Sequence, residues 1–268
     1  MLNKVIINGI NIYTKGNFKK NALVFIHGNS LNALSFKYQF DDLKDVPMLA
    51  LDLPGHGLSK RPESFEEIYC LPGYIKALKA IINELELKDF ILVGHSLGGH
   101  IAIEAATELE AVKGVLIFGT PPIGMPPEME KMFLPNPAMG YLYAKDISKD
   151  NALLLAKEFT YTNTAIVNEI AEMILVTDGN ARVNLGGSIG LGKFKNEKEI
   201  VKSSNVPIAV FHGEKDSFVN YDYITQTQIT KLWNNKTNLI HNAGHIPQME
   251  QPSAFNSLLL EFYSHVFK

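Results

Sequence analysis

Six short, strongly apolar segments constrain the fold of this chain more than any other feature of its sequence. Each is nearly continuous in Val, Ile, Leu or Phe and is bounded by turn residues such as Gly, Pro and Asn. Runs of this kind are typical of parallel strands that are buried on both faces. The segments span residues 21–28, 46–57, 89–96, 112–122, 206–216 and 237–245.

Helix-like segments lie between these predicted strands. Segment 74–87 carries apolar residues along one face at the helical period, and segments 98–109 and 253–267 resemble further helices. Strands that alternate with helices predict an α/β fold in which a mostly parallel central sheet is covered by helices on both faces.

Segment 123–200 interrupts this alternation, because it contains no pattern of a buried strand. We interpret it as a helical cap inserted into a core domain formed by residues 1–122 and 201–268. Methionines in the cap either pack its helices or form an adaptable lining for an apolar substrate. Five of the eight methionines lie there: Met125, Met129, Met132, Met139 and Met173.

The composition argues against several classes of protein. The 268 residues fit one α/β domain with an insertion, and the formal net charge of −3 provides no basic excess for nucleic acid or an anionic membrane. No apolar run approaches the ~18 residues that cross a bilayer, and the N-terminus does not resemble a signal peptide. The single cysteine, Cys70, has no partner for an internal disulfide. We therefore expect a cytoplasmic protein.

The sequence contains no pattern that indicates a binding site for a metal ion or a nucleotide. Segment 187–193, "GSIGLGK", matches a phosphate-binding loop only in part, because Phe194 stands where Ser or Thr would bind Mg²⁺ and no buried strand precedes it. We interpret this segment as a flexible edge of the cap. No set of Cys and His has the spacing of metal ligands. We expect neither a metal ion nor a cofactor.

A Gly-x-Ser-x-Gly pattern, "GHSLG", joins the predicted strand 89–96 to the helix that follows it. This spacing is typical of a tight strand-to-helix turn that presents a nucleophilic serine above the edge of a sheet. Gly94 and Gly98 leave room where side chains would collide. We therefore predict that Ser96 is the nucleophile.

A serine hydroxyl needs a base that removes its proton. In folds with this turn the order along the chain is Ser, acid, His, so the base is expected near the C-terminus. His241, His245 and His265 are the candidates. We favour His245, because it lies in a loop just past the last predicted strand, where sites gather.

The third member of such a triad orients the imidazole and stabilises its charged form. It is expected after the predicted strand 206–216, where the loop "HGEKDSFV" offers Glu214 and Asp216. We favour Asp216, because it lies further past the strand, and keep Glu214 as the alternative.

Two N–H donors are needed to stabilise the oxyanion of the intermediate. We predict the backbone N–H of Leu97, next to the nucleophile, and that of Asn29, with Ser30 as an alternative, in the loop after "LVFIHG". The side-chain amide of Asn29 is a further candidate for contact with substrate. We also predict that Ser30, Met125 and Phe133 contact the substrate.

These motifs together resemble those of the α/β-hydrolase superfamily. The resemblance rests on "FIHGNS", "LDLPGHGLS", "GHSLGGH", "FHGEKDSFV" and "AGHIPQMEQP", in the order of that superfamily. It implies an α/β-hydrolase fold with Ser96, Asp216 and His245 as the catalytic triad, and with Asn29 and Leu97 at the oxyanion site.

Within the superfamily, the chain looks most like the bacterial N-acyl-homoserine lactonases of this fold. The shared segments are "HGNS", "SLGGHIAIE", "GTPP", "TDGNAR", "KLWNNKT" and "NAGHIP". This likeness implies opening of an acylated lactone ring without a metal, and a role in quorum quenching.

The sequence thus predicts a serine hydrolase that cleaves a carboxylic ester or lactone through an acyl-enzyme. A cofactor-free perhydrolase or a C–C bond hydrolase would use the same triad, and a non-catalytic receptor for a small ligand could retain it. The expected partner is a small ester or lactone, and the expected assembly is a monomer or homodimer. Ser96 argues against dehalogenases and epoxide hydrolases, which need an aspartate at this position.

Overall fold

A computed structural model describes residues 3–268. Its centre is a sheet of eight strands, most of which coincide with the apolar segments of the sequence. The strands are β1 Asn3–Ile7, β2 Ile10–Lys15, β3 Lys20–Ile26, β4 Met48–Leu51, β5 Lys88–His95, β6 Val112–Phe118, β7 Ile208–Gly213 and β8 Asn238–Ile240.

The strand order across the sheet is β1-β2-β4-β3-β5-β6-β7-β8. The strand β2 runs antiparallel to both of its neighbours, and the strands from β4 to β8 pair in parallel. The first hairpin turns at Asn8 and Gly9, which have φ of 51° and 80°, as a tight two-residue turn requires. The predicted α/β class with a mostly parallel sheet is confirmed.

Helices cover both faces of this sheet. They are α1 Lys37–Asp42, α2 Leu71–Glu84, α3 Leu97–Ala105, α4 Met129–Met132, α5 Lys149–Phe159, α6 Val167–Val176, α7 Gly179–Gly190, α8 Glu197–Lys202, α9 Tyr221–Gln226, α10 Pro247–Glu250 and α11 Pro252–Val266. Because strand side chains alternate between faces, Val24 and Leu92 pack with α2 and α3 while Phe25 and Val93 pack with α1 and α11.

Residues 123–200, which we call the cap segment, contain the helices α4 to α7 and the start of α8. Their buried side chains, including Phe159, Ile170 and Leu185, belong to the same apolar cluster as α2 and α3. Of the Gly-rich stretch 187–193, residues 187–190 form the end of α7, and its predicted flexibility stays a prediction. The division into a core domain and a cap domain stays a prediction.

The described helices are short relative to a lipid bilayer. Among residues 3–268, none combines the length and apolar character that a membrane-crossing helix needs.

Candidate active site

The turn at Ser96 has the geometry that its glycines predict. The strand β5 ends at His95, α3 begins at Leu97, and Ser96 between them has φ 50° and ψ −114°, which is strained for a residue with a side chain. A Cβ atom on Gly98 would lie 2.0 Å from the carbonyl oxygen of Ile26, so only glycine fits there. Ser96 therefore lies in the turn between β5 and α3, at the N-terminal end of that helix.

His245 and Asp216 form a buried pair. His245 Nδ1 lies 2.8 Å from Asp216 Oδ2, and the other oxygen, Oδ1, accepts the backbone N–H groups of Phe218 (2.8 Å) and Val219 (3.1 Å). Burial raises the pKa of the Asp216 carboxyl, but the charge and hydrogen bond of His245 oppose it, and the resulting pKa lies below the ordinary value. Asp216 thus stays ionised and fixes the proton of His245 on Nδ1.

The backbone of His245 is held from two sides. Its N–H donates to the carbonyl of Phe159 (2.9 Å), and its own carbonyl accepts the Nε2 proton of His95 (2.8 Å). Burial holds the pKa of His95 well below its ordinary value, so His95 is neutral and Nε2 carries its one proton. The rings of Phe159 and Phe218 both lie 5.4 Å from the His245 ring.

One cavity joins the predicted nucleophile and base. Ser96 and His245 both line it, although no hydrogen bond links their side chains among the described residues. Catalytic hydrogen bonds are often long before substrate binds. The apolar part of the lining comes largely from the cap segment: Ile123, Met129, Phe133, Met139, Leu142, Leu185 and Ile189.

The expected oxyanion donors border the same cavity. Within residues 3–268, the backbone N–H groups of Asn29 and Leu97 have no hydrogen-bond acceptor, and both residues line the cavity. The side-chain amide of Asn29 donates to the carbonyl of Leu142 at 2.8 Å, so this amide ties the loop to the cap segment.

Of the three expected substrate contacts, one lines this cavity and two do not. Phe133 lines the cavity, as expected. Ser30 is fully buried, has φ 61° and donates its hydroxyl proton to Asn29 Oδ1 at 3.4 Å, and it is not among the residues that line the cavity. Met125 is 50% exposed and lies outside the lining, and Met129 and Met139 occupy it instead.

The other methionines of the cap segment are structural. Met132 and Met173 are buried in the apolar core and do not line the cavity. Packing of the cap helices thus accounts for Met132 and Met173, whereas a substrate-lining role for Met129 and Met139 stays a prediction.

The rejected alternatives for base and acid lie outside the cavity. His241 is largely exposed and lies 3.4 Å from Glu214, which is itself partly exposed. His265 is exposed on α11. Neither histidine lines the cavity that contains Ser96.

A second histidine–carboxylate pair, which the sequence did not reveal, also borders the cavity. His100 on α3 lines it, and its Nδ1 lies 2.8 Å from Oε2 and 3.1 Å from Oε1 of Glu197. Glu197 is fully buried at the start of α8 and also accepts the backbone N–H of Ile123 at 2.9 Å. The only local signal was a histidine four residues after the expected nucleophile.

Among the described residues, no group of three or more His, Cys, Asp or Glu is arranged to hold a metal ion. His27, which follows β3, has a structural role: its Nε2 accepts the N–H of Leu53 (2.9 Å), and its Nδ1 donates to the carbonyl of Gly28 (2.8 Å).

These features define a class of enzyme. The model of the alpha/beta hydrolase family matches residues 23–258, and the chain therefore belongs to that family. A relative of the same superfamily, YisY of Bacillus subtilis (strain 168), is 28% identical over 252 residues, or 90% of each chain.

Among solved structures, a mutant of the N-acyl homoserine lactonase AidH complexed with N-hexanoyl homoserine is similar at a TM-score of 0.93. It is 29% identical, and the match covers 99% of this chain and 98% of that one. A Pseudomonas putida hydrolase of 2-hydroxy-6-oxononadienedioate and 2-hydroxy-6-oxononatrienedioate is 22% identical, over 92% of this chain and 89% of its own.

Proposed function

We propose that this α/β hydrolase opens the lactone ring of N-acyl-homoserine lactones through a Ser96–His245–Asp216 triad. The observation that carries the proposal is the 2.8 Å contact between His245 and Asp216 beside the cavity that Ser96 lines. The substrate class is supported by similarity to AidH, whose structure contains N-hexanoyl homoserine, over nearly the whole chain.

The first half of the reaction forms an acyl-enzyme. His245 Nε2 takes the hydroxyl proton as Ser96 Oγ attacks the lactone carbonyl, and the carbonyl oxygen becomes an oxyanion. The N–H groups of Asn29 and Leu97 donate to this oxyanion. The ring C–O bond then breaks, the leaving oxygen takes the proton from His245, and an ester of Ser96 remains.

The second half regenerates the enzyme. His245 takes a proton from water, and the resulting hydroxide attacks the ester carbon. When the bond to Ser96 breaks, Ser96 Oγ receives that proton, and the N-acyl homoserine leaves as a carboxylic acid. The ionised Asp216 stabilises the imidazolium that forms in both halves.

The lining of the cavity suits a substrate with an apolar chain, but its volume of about 60 Å³ is small, so the cap segment has to move outward to admit an acylated lactone. Its walls beyond the reaction centre are formed largely by aliphatic, aromatic and methionine side chains of the cap segment, together with His100 of α3. Burial of each CH₂ group against such walls contributes about 0.8 kcal/mol, so acyl chains gain affinity with length while they fit.

The test combines an active-site probe with a substrate panel. A fluorophosphonate should label the wild-type protein and leave Ser96→Ala unlabelled, and N-acyl-homoserine lactones should be hydrolysed at least about 10³-fold faster by wild type than by Ser96→Ala. p-Nitrophenyl esters of matched chain length are the comparison. Labelling with ester turnover but no lactone turnover would overturn the substrate class, and absence of labelling would favour a receptor.

A further inference from the structure

The residue His100 is a polar group in the cavity that the proposed triad does not use. Only 8% of its surface is exposed, and it borders the cavity beside apolar side chains such as Ile123 and Leu185. A polar atom in such surroundings is costly unless it has a hydrogen-bond partner. The hydrogen-bonding state of its two ring nitrogens therefore indicates which polar group of a ligand the cavity can bind.

Glu197 determines which ring nitrogen of His100 is available. When the imidazole of His100 is neutral, its contact with Oε2 (2.8 Å) requires the proton on Nδ1, because a carboxylate oxygen can only accept. Nε2 then carries a lone pair, and among residues 3–268 it has no hydrogen-bond partner. The carboxylate cannot rotate freely, because Oε2 also accepts the N–H of Ile123 at 2.9 Å.

The distance from the nucleophile along α3 limits which part of a substrate can reach His100. The N–H of His100 donates to the carbonyl of Ser96 (3.3 Å), so the two residues are about one helical turn apart, roughly 6 Å along the axis. A substrate with its reacting carbonyl at Ser96 would bring to His100 the groups two or three bonds from that carbonyl. In an N-acylated lactone the amide N–H is such a group.

We propose that His100 Nε2 accepts a hydrogen bond from an N–H group next to the reacting carbonyl, and that His100 thereby selects N-acylated lactones. Glu197 is a positioning residue that fixes the tautomer of His100. This inference rests on the proposed function, because it assigns a recognition contact within the same cavity.

The test compares N-hexanoyl-homoserine lactone with its analogue in which CH₂ replaces the amide N–H. The wild-type kcat/KM should favour the amide at least about 10-fold, because the analogue leaves Nε2 buried without a partner. His100→Asn retains an amide N–H near the position of Nδ1 for Glu197 but lacks Nε2, so the ratio should fall to about 1. His100→Gln restores an acceptor near the position of Nε2 and should recover part of the ratio.

Fluorophosphonate labelling of Ser96 and thermal unfolding would verify that each variant is folded. A wild-type ratio near 1 would overturn the inference, and so would a ratio that folded His100→Asn retains. If the wild-type protein hydrolyses neither lactone, the proposed function itself fails, which is a distinguishable result.

Discussion

Two histidine–carboxylate pairs border one cavity. Their side chains are chemically alike, so the role of each histidine has to be inferred from its surroundings. In both pairs Nδ1 lies 2.8 Å from a buried carboxylate. His245 lies in a loop past β8 with its backbone held by Phe159 and His95, whereas His100 lies within α3. The surroundings of each imidazole, and its position relative to Ser96, separate the proposed base from the proposed recognition residue.

The carboxylates differ as well. Asp216 uses one oxygen for His245 and the other for two backbone N–H groups, so each oxygen has its own task. Glu197 uses Oε2 for both His100 and the backbone N–H of Ile123, and its Oε1 also lies 3.1 Å from His100 Nδ1. Asp216 therefore keeps one oxygen for His245 alone, which is the arrangement that the proposed triad needs.

The largest expected effect is the loss of the base. His245→Gln should lower kcat by at least about 10⁴-fold, because no other group then takes the Ser96 proton. His241→Gln is the matched control, since His241 is exposed outside the cavity, and it should retain activity within about two-fold. Steady-state kinetics on one lactone would measure both. Equal losses in the two variants would contradict the assignment of His245.

Neutralising the carboxylates should separate the two pairs. Asp216→Asn should lower kcat by about 10³- to 10⁴-fold, because the amide no longer fixes the tautomer or stabilises the imidazolium. Glu197→Gln should act mainly on KM and on the free energy of unfolding, which should fall by about 1–3 kcal/mol. Kinetics and urea unfolding would measure these effects. Glu214→Gln is the control for charge alone, and a large loss of kcat there would indicate that Glu214 is the acid.

His27, a buried histidine with no carboxylate partner among the described residues, should make the stability of the fold depend on pH. Burial lowers the pKa of His27 to about 4, whereas an unfolded histidine titrates near ~6.5. Between these values the unfolded state binds more protons, so stability is full above pH ~6.5 and is lost as pH falls through about 4. His27 should contribute about 3 kcal/mol to this loss.

Urea unfolding between pH 7 and 4 would measure that contribution. His27→Gln offers an acceptor for the N–H of Leu53 and does not titrate, so its stability should decline less steeply than that of wild type. Identical slopes for both proteins would contradict the assigned cause.

The fold and the turn at Ser96 could be predicted because local sequence determines them. Apolar runs mark β3 to β8, and a Gly-x-Ser-x-Gly pattern between a strand and a helix has few other uses. The positions of Asp216 and His245 follow from strand order, since the ends of parallel strands meet at one edge of the sheet.

The lining of the cavity could not be predicted in the same way. His100 and Glu197 are 97 positions apart, and their contact depends on how the cap segment returns to the sheet. Met125 and Met129 occupy one short segment, yet one is half exposed and the other borders the cavity. Such differences arise from packing between helices, which leaves no periodic signal in the sequence.

The glycines of this chain differ in how much replacement they tolerate, and this has a practical consequence for engineering. A methyl group on Gly98 would press on the main chain of Ile26, whereas one on Gly187 meets nothing within 4 Å. Alanine is favoured over glycine inside helices by about 1 kcal/mol, and Gly187 lies within α7. Heat resistance can therefore be raised from the outer surface of α7, while the tight turn that carries Ser96 must be left as it is.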